Sequence, residues 1–227
     1  MGEAYIWEDQ DKMTDTTLII GNKNYSSWSL RGWLAVKTSG LTFEEKIVPL
    51  FEDNHAETMA RETPASKVPV LIHNGNTIWE SLAIAEYVAE LKPEAKMWPD
   101  DAGSRAEARS IACEMLSGFT GLRSQYHMNC RKIISNTEPT DACKADIARI
   151  QKIWQDCLTK HGGPFLFGEF SIADIMYAPV VSRFKTYQVQ ADETIQAYMD
   201  AILGLSAMQE WYAAAEVETW VIEEEEY

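Results

Sequence analysis

The first ninety residues alternate between two hydrophobic periods. Thr17–Gly21 (TLIIG) is a short apolar run closed by glycine, which predicts a buried strand. Leu30, Trp33, Leu34 and Val36 recur at helical spacing and stop at Gly40, a residue suited to a helix C-terminus. Glu45–Pro49 (EKIVP) predicts a second strand, and a weaker helical stretch runs from His55 to Arg61. Val68–His73 (VPVLIH) and Thr77–Trp79 flank Asn74-Gly75, the pair that favours a type I′ hairpin turn. Ser81–Leu91 predicts a helix with Leu82, Ala85, Val88 and Leu91 on one face and Ser81 at or near its N-cap.

A β-α-β crossover implies a parallel strand pair, and the hairpin adds antiparallel strands to it. The expected architecture is a four-stranded mixed sheet with helices on its faces, the thioredoxin-like arrangement, over residues 17–91. Residues 92–104 (KPEAKMWPDDAGS) carry two prolines, a glycine and no period, and read as a linker. Beyond it, strand patterns give way to helical ones over Arg105–Arg131, Asp141–Lys160, Ser171–Tyr187 and Asp192–Ala214. Residues 105–215 are therefore expected to form an all-helical domain. Residues 1–16 read as an N-terminal extension, with Met13 an alternative start. Residues 216–227 read as an acidic tail whose run Glu223–Glu226 is solvated or frayed.

The chain has 227 residues, enough for one large or two small domains. Eight Trp, nine Tyr and seven Phe are too much apolar area to leave in water, which excludes bulk disorder. No 18-residue apolar stretch exists, so no membrane span is expected. The net charge of −15 is spread along the chain, which argues against nucleic acid and against an anionic membrane surface. The start lacks the basic and apolar regions of a signal peptide. Cys113, Cys130, Cys143 and Cys157 show no metal or disulfide pattern, so reduced thiols in the cytoplasm are expected. His55, His73, His127 and His161 form no ligand spacing, and no metal is expected.

Three local features carry candidate chemistry. Asn24-Tyr-Ser-Ser-Trp-Ser29 puts hydroxyls where a helix leaves N–H groups unpaired and its dipole is positive; it suits an anion, and equally a simple cap. Lys67-Val68-Pro69 opens a strand. A cis bond before Pro69 would turn the Val68 backbone groups outward, where an extended peptide pairs with them, while a trans bond would make an ordinary strand start. Glu80-Ser81 opens the last helix of the sheet domain, with a hydroxyl for a carboxylate and a carboxylate for an ammonium, or an N-cap beside a surface glutamate. In a thioredoxin-like sheet the three fall on adjacent connections at one end. Together they describe a site for a thiol peptide with a free amino-acid end.

The segments GNKNYSSWSLRGWLA, KVPVLIHNGNTIWESLAIAEYVAE, MWPDD and FLFGEFSIADIMYAPVVSRF resemble the soluble glutathione transferases. The likeness is to bacterial members with serine-type sites similar to the zeta and tau classes, and it covers residues 17–215. It implies a catalytic Ser26, five residues before Arg31, whose hydroxyl donates to the glutathione sulfur. Ser27 and the neighbouring Tyr25 are its rivals. It implies that Val68 pairs with the cysteinyl unit beside a cis Pro69, that Glu80 and Ser81 hold the γ-glutamyl end, and that Lys67 approaches the glycyl carboxylate. Ser171 and Asp174 match a structural capping box. Trp28 stands where zeta sequences have cysteine, which counts against zeta-type isomerase chemistry. An electrophile pocket is expected between the domains, with Trp28, Phe119, Leu122, Arg123 and Tyr126 as candidates.

The implied activity is transfer of the glutathione thiolate to a small apolar electrophile, in detoxification, by a cytoplasmic homodimer. The alternatives on the same scaffold are a glutathione-dependent isomerase, dehalogenase or peroxidase, or a non-catalytic binding or regulatory protein.

Overall fold

The computed structural model describes residues 15–50 and 55–226. The N-terminal extension lies outside these residues as far as position 14, but Thr16, expected within it, already belongs to the first strand.

Four strands form one sheet: β1 (Thr16–Ile20), β2 (Glu44–Ile47), β3 (Val70–His73) and β4 (Asn76–Trp79), in the order β2-β1-β3-β4. β1 runs parallel to β2, with Leu18 opposite Glu45, and antiparallel to β3, with Leu18 opposite Leu71. β3 and β4 are the expected hairpin, with His73 opposite Asn76. Asn74 and Gly75 both have positive φ, 48° and 77°, as a type I′ turn requires. Three helices accompany the sheet: α1 (Ser27–Thr38), α2 (His55–Glu62) and α3 (Ser81–Leu91).

The period of two along β1 sorts its side chains onto two faces. Leu18 and Ile20 join Leu71 in the main core with Leu30, Leu34, Ile84 and Val88 of α1 and α3. Ile19 points the other way and packs with Val48, Met59 and Val70 under α2. The main core continues without a break into the helices that follow, so α1 is buried between sheet and helical layer and packs against both α3 and α7.

Those helices are α4 (Ala102–Ser117), α5 (Thr120–Gln125), α6 (Asp141–His161), α7 (Ile172–Thr186), α8 (Glu193–Leu203) and α9 (Ser206–Glu216). Two expected helices are each broken in two. The stretch 105–131 divides at Gly118 and Phe119, where Phe119 takes a left-handed φ of 57° and a side chain at Gly118 would meet the Glu114 carbonyl at 2.8 Å. The stretch 192–214 divides at Gly204. The linker is also shorter than expected. Asp101 accepts from the Ser104 N–H at 2.7 Å and starts α4 at Ala102, while Pro93–Ala95 form a 3-10 turn.

α7 is the buried spine of the helical part, with nearly every residue enclosed. Its start is built on Asp174, whose carboxylate accepts from the Leu166 N–H (3.0 Å), the Ser171 N–H (2.9 Å) and the Ser171 hydroxyl (3.1 Å). Burial pushes the Asp174 carboxyl up to about 6 in spite of these three donors.

Candidate functional site

The loop Gly21–Ser26 leads from β1 into α1 and is buried throughout. Ser26 is the N-cap of α1, and its Oγ accepts from the Ser29 N–H at 3.3 Å. The same Oγ lies 2.8 Å from Ser29 Oγ, which in turn accepts from the Gly21 N–H at 2.9 Å. Ser27, one residue on, accepts from Arg183 Nη2 at 3.3 Å. The Tyr25 hydroxyl is directed elsewhere: it donates to Glu226 at 2.7 Å and accepts from Arg131 at 2.9 Å.

The Val68–Pro69 peptide is cis. Pro69 sits against α1 at the one residue that leaves room for it: a Cβ on Gly32 would come within 2.6 Å of the Pro69 ring. Lys67 is held at its N–H by Thr63 Oγ1 at 3.0 Å. At the head of α3 the N-cap position falls to Glu80, with a positive φ of 68°, so Ser81 is the first helical residue rather than the cap. Ser81 is 1% exposed, and its Oγ has no hydrogen-bond partner among the described residues. A hydroxyl in that state at a helix start is ready for an anionic ligand.

Two clefts meet here. A smaller one of about 220 Å³ is lined by Lys67, Val68, Pro69, Trp79, Glu80 and their neighbours. A larger one of about 430 Å³ is lined by Ser26, Ser27, His127, Arg183, Glu225 and residues around them. Trp28 and Arg123 belong to both. Trp28 is flanked by two guanidinium groups, Arg31 and Arg123, each 4.6 Å from its ring.

Trp28 and Arg123 were named from sequence as candidates for an electrophile pocket, and both line the larger cleft. Phe119, Leu122 and Tyr126 were named as well, and these line neither cleft. Phe119 and Leu122 belong to the core, and Tyr126 stacks on Tyr187 at 4.0 Å with its hydroxyl donating to the Thr137 carbonyl. They were expected on one long helix, but α4 ends at Gly118 and Phe119 takes a left-handed turn before α5, and of the four helix residues named Arg123 alone lines the clefts.

Charge at the junction is positive and buried. Arg31 is 1% exposed, donates through Nε to the Met176 carbonyl at 2.8 Å, and has no partner among the described residues at either terminal nitrogen. Burial, with Arg183 and Arg123 nearby, pushes it well below the ordinary arginine range. Arg183 donates to the carbonyls of Tyr126 (2.7 Å) and Pro179 (3.3 Å), and burial pushes it down to about 10. Arg183 was not singled out from the sequence. An arginine within the apolar run IADIMYAPVVSRF was the available signal, because a charge on a fully enclosed helix needs a partner.

The acidic tail is anchored at Glu218, Glu225 and Glu226, while Glu223 and Glu224 between them stay exposed. The Glu218 carboxylate accepts from the Lys23 N–H at 2.6 Å and the Asn24 N–H at 2.9 Å, beside the serine loop. Arg131 holds the Glu218 and Trp220 carbonyls, and Glu226 takes Tyr25, Asn129 (2.8 Å) and Lys132 (2.6 Å). Glu225 is thereby set into the wall of the larger cleft.

Residues 25–91 match the family described as glutathione S-transferase, N-terminal domain, and residues 138–214 match glutathione S-transferase, C-terminal domain. The chain belongs to the glutathione S-transferase family, a family of enzymes. It is 30% identical over 158 residues to glutathione S-transferase 1 of Dianthus caryophyllus, covering 68% of this chain and 71% of that one. It is 29% identical over 159 residues to a probable maleylacetoacetate isomerase of Caenorhabditis elegans, covering 68% and 72%. A Burkholderia glutathione transferase homolog, solved with bound glutathione, shares the fold with a TM-score of 0.66 at 24% identity, over 89% of this chain and 98% of that one.

Proposed function

We propose that the protein binds glutathione in the smaller cleft, ionises its thiol at the head of α1, and transfers the sulfur to an electrophile held in the larger cleft. The observation that carries this reading is the junction itself. The two clefts share Trp28 and Arg123, with the serine loop on one side and Val68-Pro69 and Glu80 on the other. In this reading Val68 pairs through its backbone with the cysteinyl unit beside Pro69. Glu80 takes the ammonium and Ser81 the carboxylate of the γ-glutamyl end, and Lys67 lies toward the glycyl carboxylate.

A free thiol has a pKa of about 8.5, and the thiolate is the nucleophile. A hydroxyl donor from Ser26 together with the α1 dipole supplies roughly 2–3 kcal/mol, or about two pKa units. Ser27 is the alternative donor, because Arg183 already occupies its lone pair and leaves its proton free to point outward. The thiolate forms a C–S bond at the electrophilic carbon. The displaced group leaves with its electron pair, or a conjugated double bond shifts and takes up a proton. Ultraviolet absorbance of the thiolate in bound glutathione, titrated against pH in wild type, Ser26→Ala and Ser27→Ala, tests this reading. The expected result is a depressed thiol pKa lost in Ser26→Ala. Loss in Ser27→Ala moves the role by one residue, and an unshifted wild-type thiol overturns the transferase assignment.

Glutathione-dependent isomerisation is the second reading. It is supported by the relative named as a probable maleylacetoacetate isomerase and by the arginines of the larger cleft, which suit a more polar substrate than the apolar one expected from sequence. The same reading takes the protein as a homodimer in the cytoplasm. Its supports are the exposed Trp79 and Leu91 on β4 and α3 and the unpaired state of Cys113, Cys130, Cys143 and Cys157.

A further inference from the structure

The tail reaches the larger cleft as a fixed wall. Glu218 is fastened to the serine loop and Glu226 to Tyr25, Asn129 and Lys132, so the residue before Glu226 is positioned from both sides. Glu225 stands in the cleft with Ser26, Ser27, Arg123 and Arg183. We infer that Glu225 determines which charge of electrophile the larger cleft accepts: as a carboxylate it turns away anionic electrophiles that the two arginines would otherwise hold. The inference rests on the larger cleft being the electrophile site.

The charges around Glu225 support this. Arg183 is spent on two carbonyls and the Ser27 hydroxyl, so Glu225 is not locked to it by a direct hydrogen bond. His127 Nδ1 lies 3.8 Å from the Glu225 carboxylate. Burial, with Arg183 adding to it, keeps His127 below its ordinary value, so the contact is not an ion pair at neutral pH. Burial pushes Glu225 up to about 7, with Arg183 opposing and Glu224 and Glu226 reinforcing the rise. Tyr187, the C-cap of α7, feels the Glu225 charge and is itself held in its neutral form by burial. Glu225 therefore gains its charge as pH rises through neutrality, while Arg123 and Arg183 keep theirs. Discrimination against anions follows the same curve: weak in mild acid, strong in mild base.

The test compares a neutral chlorodinitrobenzene with a chlorodinitrobenzoate as electrophiles for glutathione, in full-length protein. The readout is the ratio of kcat/KM for the anionic to the neutral compound. In wild type the ratio falls about tenfold between pH 6 and pH 8.5. In Glu225→Gln it rises about tenfold at pH 8.5 and loses its pH dependence. Glu223→Gln removes the same charge from an exposed neighbour and leaves the ratio alone. A ratio unchanged in Glu225→Gln, or one that Glu223→Gln changes equally, overturns the inference while leaving the transferase reading intact. No turnover of either compound, with an unshifted glutathione thiol, takes down the transferase reading and this inference with it.

Discussion

The hydroxyls of Ser26 and Ser29 lie 2.8 Å apart at the head of α1. A bond between two hydroxyls runs in either direction. When Ser29 donates to Ser26, the Ser26 proton is released toward the cleft, and the Gly21 N–H keeps Ser29 Oγ polarised from behind. Capping the helix and serving a thiolate are thus compatible roles for one side chain. Ser26→Ala is expected to lower turnover at pH 7 by about threefold or more, the thiolate fraction lost with the hydroxyl's share of about one pKa unit while the α1 dipole stays, and the glutathione Kd changes little. Steady-state kinetics beside a binding titration separate the two. The variant also loses about 1 kcal/mol of stability as a cap, which a denaturant melt reads.

Ser81 presents a buried hydroxyl with no partner among the described residues. Removing it costs the fold little, because no internal hydrogen bond is broken. If it takes the γ-glutamyl carboxylate, Ser81→Ala weakens glutathione binding by about tenfold or more, the worth of a hydrogen bond to a charged group. Calorimetric titration checks the affinity, and an unchanged Kd removes Ser81 from the site.

Asp174 has a pH signature of its own. Its folded pKa of about 6 lies above the unfolded value of about 3.9, so the native state holds the proton more tightly. The resulting stabilisation is present below pH 3.9 and lost as pH rises through 6, about 3 kcal/mol in all. Asp174→Asn cannot titrate and turns an amide toward N–H donors, so it destabilises throughout. Its deficit relative to wild type is expected to be larger at pH 4 than at pH 7 by roughly that amount. Urea unfolding at the two pH values gives the comparison.

Glu218 is bidentate on the Lys23 and Asn24 N–H groups. Glu218→Gln replaces one acceptor with a donor and weakens the clamp by about 1–3 kcal/mol. Hydrogen exchange at these two amides and over residues 218–226 should then speed up about tenfold or more. Exchange as slow as in wild type shows that Arg131 and Glu226 suffice to hold the tail.

The sheet was legible because its signals are local. Leu18, Ile19 and Ile20 alternate, Asn74-Gly75 names its own turn, and the α3 limits follow from a clean apolar face. The serine loop, the cis proline position and Glu80-Ser81 came from short motifs together with the family likeness. The wall of the larger cleft was not legible. Phe119, Leu122 and Tyr126 were expected beside Arg123 on one long helix, whereas the helix ends at Gly118 and restarts after Phe119, and a single glycine does not reveal whether a helix bends or ends. The tail misled for a different reason. A run of glutamates reads as solvated when nothing nearby in sequence opposes it, and Glu226 finds its partners in Tyr25, Asn129 and Lys132, as Glu218 finds Lys23 and Asn24, all distant in sequence.

That distance also orders the events of folding. Glu218 and Lys23 are 195 positions apart, and loop closure over such a span follows the local structure rather than leading it. β1, α1 and the hairpin can all be in place while the serine loop still lacks its last two acceptors. On the ribosome, the larger cleft stays without one wall until the segment around Glu218 has emerged. A stalled chain that ends after α9 would hold a complete sheet and an unfinished site.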